Sequence, residues 1–208
     1  MKIQILIDNP NSWIIPYAQQ LVDELSSEHE SKLVHESSGV SEGDILVLLG
    51  CGEIFKDLEL NEHNLVVHES DLPRGRGWSP LTWQILEGKD EIPVTLFEAV
   101  DEVDAGPIYF QKTITFEGHE LVDELREKQA RATIKLIKKF INQYPNIEGK
   151  PQKGEATYYS RRTPKNSELD INKTIEEQFN LLRVCDNERY PAFFYRNGRK
   201  YKIKIAKD

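Results

Sequence analysis

His68 closes a short apolar stretch, NLVVH, and opens a loop, ESDLPRGRGWSP, that is dense in proline and glycine. Further along, the acidic turn DEVDAG carries Asp101, Glu102 and Asp104 just before Ala105-Gly106. An imidazole can accept and return a proton near neutral pH. A carboxylate beside it can orient the ring, favour its charged form and hold a water. A lone histidine is more often structural than catalytic, so the pair gains meaning only from the loop between its members. There Arg74 and Arg76 are candidates for an anionic group, or else solvated loop charges.

These side chains need elements to place them. Residues 64–68 alternate as a strand, so Asn64, Val66 and His68 share one face. Residues 92–100 and 107–115 alternate as two further strands, joined by the acidic turn. Pro80 suits the first position of a helix running to about Glu87, and Gly88 suits its C-terminal cap. Upstream, residues 2–8 alternate as a first strand, 13–25 as an amphipathic helix and 32–36 as a weak second strand. The run DILVLL at 44–49 is continuous and apolar, as a central parallel strand would be. It breaks at Gly50-Cys51-Gly52, and ligands of open parallel sheets bind at such carboxyl ends. Residues 120–144 form the longest helix, with Leu121, Leu125, Ala132, Leu136 and Phe140 on one face. Asn197-Gly198 is a hairpin turn between two late strands, 192–196 and 200–205.

The residues of the central stretch resemble the formyltransferase family that uses 10-formyltetrahydrofolate. That family's pattern is Asn-x-His, a small residue and Ser, Leu-Pro, Arg-Gly, Pro, and later Asp-x-Gly-x-Ile. The matches here are His68, Ser70, Leu72-Pro73, Arg76-Gly77, Pro80, Asp104, Gly106 and Ile108. The family's catalytic Asn has no match, because its position falls on Val66. The resemblance implies an α/β fold of formyltransferase type. This is a Rossmann-like open, mostly parallel sheet with helices on both faces, plus a short C-terminal extension containing a β-hairpin. The expected division is a catalytic core over residues 1–149 and an extension over 150–208 packed on it.

The resemblance also implies a site. His68 and Asp104 would be catalytic. Gly52, Glu53, Ile54 and Phe55 after the central strand, with Ala99, Val100, Asp101 and Glu102 at the acidic turn, would hold the pterin of 10-formyltetrahydrofolate. Ser12, Trp13, Ser70, Arg74, Arg76, Gly77 and Trp78 would meet the acceptor. No glycine occurs before Gly39, so the phosphate-binding loop of the glycinamide ribonucleotide branch is absent. The Ser12-Trp13 pair resembles the sugar-modifying branch. Residues 162–164, Asp170, Arg183 and 190–193 resemble the segment after the core in methionyl-tRNA and sugar formyltransferases, and the extra C-terminal barrel of the former is expected to be missing.

Charge bears on the acceptor. Residues 1–149 hold 13 Lys+Arg against 27 Asp+Glu, a balance of −14, and residues 150–208 hold 14 against 8, a balance of +6. An acidic body disfavours a long polyanion, since phosphate neutralisation dominates nucleic-acid binding. The basic tail would serve a compact anion such as a diphosphate, or would simply dock on the acidic body. The expected reaction is formyl transfer from 10-formyltetrahydrofolate to the primary amine of a nucleotide-linked amino sugar. The alternatives are a folate-binding homologue whose Val66 marks impaired catalysis, and a formyltransferase for an aminoacyl or peptidyl amine. No metal, nucleic acid or membrane is expected, and a homodimer stays open. Residues 1–10 read as a strand rather than a signal peptide, and Cys51 and Cys185 form no metal or redox spacing, so a cytoplasmic protein with free buried thiols is expected.

Overall fold

The computed structural model describes all 208 residues. In chain order the elements are β1 (Lys2–Leu6), α1 (Ile15–Leu25), β2 (Glu30–Val34), β3 (Gly43–Leu48), β4 (Asn61–His68), β5 (Arg76–Gly77), α2 (Pro80–Leu86), β6 (Glu91–Glu98), β7 (Ile108–Thr115), α3 (Val122–Gln143), β8 (Tyr158–Tyr159), α4 (Phe179–Arg183), β9 (Ala192–Arg196) and β10 (Arg199–Ile203). Six strands form one sheet in the order β2-β1-β3-β4-β6-β7. The first four run parallel, while β6 and β7 add antiparallel at the β4 edge. The open, mostly parallel sheet is as expected.

Alternation along the strands builds the two faces. Ile3, Ile5, Ile45, Val47 and Leu65 join a cluster of 26 buried residues that also takes in Leu21 of α1, Ile85 of α2 and Leu136 of α3. Leu6, Leu46 and Leu48 point the other way, into a smaller cluster with Val34, Val40 and Phe55. No α-helical residue joins that second cluster. Its cover is loop and short 3-10 turns at Ser37–Gly39 and Leu58–Leu60. The helical layer expected on this face is therefore loop, which leaves the carboxyl ends of β3 and β4 open.

Pro80 begins α2, and Gly88 after its end has φ of 82°, which a glycine adopts at no steric cost. The Asn197-Gly198 turn joins β9 to β10 with φ of 49° and 73°, the two positive angles that the tight hairpin turn requires. One pairing escapes the hydropathy pattern. Arg76–Gly77 of the loop after β4 pairs in parallel with Tyr158–Tyr159. A two-residue ladder carries no periodicity to detect. No helix is long and apolar enough to cross a membrane.

Candidate active site

His68 ends β4 and is 7% exposed. Its Nε2–H donates to the Gly75 carbonyl at 2.8 Å. That bond holds the ring and leaves Nδ1 as the nitrogen available to a substrate. Asp104 Oδ2 stands 3.8 Å from the same Nε2, an electrostatic neighbour rather than a hydrogen-bond partner. Oδ2 instead accepts the Gly77 N–H at 2.8 Å. Base and carboxylate thus meet, as their expected shared site requires.

The turn that carries Asp104 is tightly held. Asp104 has a left-handed φ of 54°. A Cβ on Gly106 would lie 1.7 Å from the Glu98 carbonyl, so only glycine lets β6 and β7 close here. Gln152 donates to the carbonyls of Asp104 and Gly106 at 2.8 and 2.9 Å. Its Oε1 accepts from Arg76 Nη2 at 2.9 Å, and Arg76 Nη1 reaches Glu102 at 2.6 Å. Arg76 is thereby committed to the scaffold, and Arg74 stays exposed on the loop. Neither lines the cavity at His68.

That cavity measures about 670 Å³. It is lined by Ser12, Trp13, Gly52, Glu53, Ile54, Phe55, Ala99, Val100, Gly77 and Trp78 together with His68 and Asp104. The structure thus brings together twelve of the seventeen residues singled out above. Asp101 and Glu102 face outward, and Ser70 lies beneath the site with its hydroxyl buried and unpartnered. The backbone N–H groups of Gly52 and Glu53 are already bound to Asp8 at 2.7 and 2.9 Å. Val66 lines the same cavity with an apolar side chain. Cys51 is no nucleophile, since burial pushes its thiol up to about 12.

A family model described as formyl transferase matches residues 15–141, more than half of the chain. The chain belongs to the formyl transferase family. Among solved structures, a methionyl-tRNA formyltransferase from Clostridium thermocellum superposes with a TM-score of 0.85 at 22% identity, over 100% of this chain and 93% of that one. A sugar N-formyltransferase from a Shewanella species gives 0.73 at 18%, over 100% and 98%. HypX from Aquifex aeolicus in complex with tetrahydrofolic acid gives 0.79 at 19%, over 99% of this chain and 37% of that one.

For a formyl transferase the co-substrate is a formyl-tetrahydrofolate. Ile54, Val100 and Val103 expose 63%, 39% and 48% of their surface around the opening.

The loop at residues 69–80 is clamped by the C-terminal segment. Thr157 Oγ1 accepts the Gly75 N–H at 2.9 Å, and the Thr157 carbonyl accepts the Arg76 N–H at 2.9 Å. The Tyr159 carbonyl accepts the Trp78 N–H at 3.1 Å. Gly77 must be glycine, because a Cβ would come within 2.6 Å of that Tyr159 oxygen. Residues Gln152 and Thr157 had no signal in the sequence, since their role is main-chain bonding across a large sequence separation.

A second cavity, of about 310 Å³, adjoins the first. Trp13, Trp78, Ser79 and Gln129 line both. Its walls add Arg126, Arg161, Arg162 and Tyr190. Arg126 is tied to Asp186 at 2.8 Å. Arg161 stacks over Trp78 at 4.6 Å, and Arg162 donates to the Asn166 carbonyl at 3.2 Å and toward the Cys185 thiol, with its Nε buried and unpartnered. Neither meets a carboxylate.

Proposed function

We propose that this formyl transferase moves the formyl group of 10-formyltetrahydrofolate to the primary amine of a nucleotide-linked amino sugar. One observation carries the acceptor: two joined cavities of opposite character. The cavity at His68 is lined by Glu53, Glu69 and Asp104 and by no lysine or arginine. The adjoining one offers two guanidiniums free of carboxylates beside Trp13, Trp78 and Tyr190. A cationic amine at one end of the acceptor and an anion next to a planar ring at the other match that polarity. Sugar N-formyltransferases among the similar folds agree with this reading.

In it, the apolar rim at Ile54, Phe55, Ala99 and Val100 holds the pterin. His68 Nδ1 takes a proton from the attacking nitrogen and delivers it toward the leaving one, while the Gly75 carbonyl keeps the ring oriented. Asp104 stabilises the imidazolium that forms. Val66 gives the developing oxyanion nothing, so that imidazolium carries the load. Val66→Asn is expected to raise kcat, by up to about 100-fold if the amide reaches the oxyanion, since one such donor is typically worth about that much. A folded variant no faster than the parent, in single-turnover transfer, would mean that another donor does this work.

The acceptor reading is tested by binding. UDP, dTDP and GDP are titrated calorimetrically against the parent, Arg161→Ala and Arg162→Ala. At least one nucleotide is expected to bind, with each variant weaker by about 10-fold, the value of one charge-assisted contact. No binding by any of the three, or affinities indifferent to both arginines, would overturn it. The aminoacyl alternative rests on the Clostridium thermocellum likeness. It requires a steep fall of affinity with salt, because a tRNA would engage many phosphates.

A further inference from the structure

Glu69 stands where the family pattern has a small residue. It lines the cavity beside His68 yet is only 8% exposed. A buried carboxyl normally has partners. Glu120, 2% exposed, shows the usual case: it accepts from Lys128 at 2.6 Å and from the Glu117 and Gly118 backbone N–H groups. Glu98 likewise accepts from the Tyr109 hydroxyl at 2.6 Å. Glu69 has no lysine or arginine partner: only the neutral Gln129 side chain and its own backbone N–H donate toward the carboxyl, while Gln84 donates to its backbone carbonyl. The groups that act on the carboxyl are His68 beside it at the end of β4, Asp104 from the acidic turn, the neutral Gln129 from α3 and its own backbone N–H. A carboxyl kept out of water without a cation, and facing a ligand cavity, is suited to a cation brought by the ligand.

We infer that Glu69 receives the acceptor's ammonium group and takes its first proton. This rests on the reading of the acceptor as a primary amine. The co-substrate's flat ring and formyl group bring no such cation. The balance is complete. The Glu69 carboxylate accepts one proton from R–NH3+, leaving R–NH2 and a carboxylic acid. The amine lone pair forms the bond to the formyl carbon, and the C=O π pair moves onto oxygen. His68 carries a second proton from the attacking nitrogen to the folate nitrogen. That nitrogen keeps the electron pair of the breaking C–N bond. The Glu69 proton returns to solvent when the formamide leaves. Burial supports the base role: it pushes the Glu69 carboxyl above the usual range, against the pull of His68 and Gln129, and Asp104 adds to the rise. A carboxylate with a raised pKa is a stronger base, closer to an amine.

The test uses the full chain labelled with 13C at glutamate carboxyls, the Glu69 signal being assigned by its loss in Glu69→Gln. The Glu69 signal is expected to titrate above the ordinary carboxylate range. Methylammonium chloride should lower that midpoint, and tetramethylammonium chloride at equal ionic strength should not. An ordinary midpoint, or equal responses to the two cations, would overturn the inference. This readout needs no nucleotide, so its failure is distinct from failure of the acceptor reading. With any amine that is formylated, Glu69→Gln should lose about 100-fold in kcat/KM for that amine. The KM for the formyl donor should stay unchanged, and the acidic limb of the pH profile should become shallower, with His68 left as the one group that must be unprotonated. Unchanged kcat/KM for the amine, or a loss confined to the formyl donor, would equally overturn it.

Discussion

His68→Ala is expected to slow formyl transfer by about 1000-fold while leaving a folded protein. Proton transfer by a positioned side chain contributes roughly 100- to 10,000-fold, and His68 is the imidazole in the cavity. The variant leaves the Gly75 carbonyl without its donor. Losing that bond costs about 1 kcal/mol, which for a chain of this size lowers the melting temperature by about 2–4 °C. Asp104→Asn keeps an acceptor for the Gly77 N–H but removes the charge 3.8 Å from the ring. It should lose rate with little change in melting. Turnover near the parent level in a folded His68→Ala protein would remove the histidine from the mechanism.

Glu120→Gln is expected to destabilise the fold by about 3 kcal/mol at neutral pH and to lower the melting temperature by about 6–12 °C. Glu120 lies between α3 and the C-terminal part of the chain. It pairs with Lys128 at 2.6 Å and faces the buried Arg183 at 3.7 Å. Burial pushes its carboxyl up, but Lys128 and the backbone N–H groups outweigh this and hold it at about 2, against an ordinary 4.5. That difference is worth about 3 kcal/mol. The folded value is depressed, so the stabilisation is present above pH 4.5 and lost as pH falls toward 2. Melting curves from pH 7 to pH 2 should therefore converge for parent and variant. A constant gap over that range would mean that packing, not charge, makes the difference.

How much of this was legible beforehand follows from the physics of each feature. The strand that delivers His68 and the glycine after Asp104 could be read, because alternation and local motifs are short-range signals. The apolar run of β3 pointed to the open carboxyl end of the sheet for the same reason. Arg76 looked like an anion contact, since a sequence shows a charge but not its partners, and Glu102 and Gln152 occupy it. Arg161 and Arg162 went unnoticed as ligand groups because they reach the cavity only when β8 pairs with β5. Glu69 was passed over because its burial is tertiary. The single-sided helical layer was also beyond reach, for hydropathy marks a buried strand but not what covers it.

The most direct measurement is formyl transfer itself. The purified chain is incubated with 10-formyltetrahydrofolate and a panel of amino-sugar nucleotides, and products are read by mass spectrometry for the added formyl group. Formylation of at least one nucleotide-linked amino sugar is expected, dependent on His68 and weakened in Arg161→Ala. No formylated sugar across the panel, with transfer to an aminoacyl amine or to no amine at all, would contradict the account.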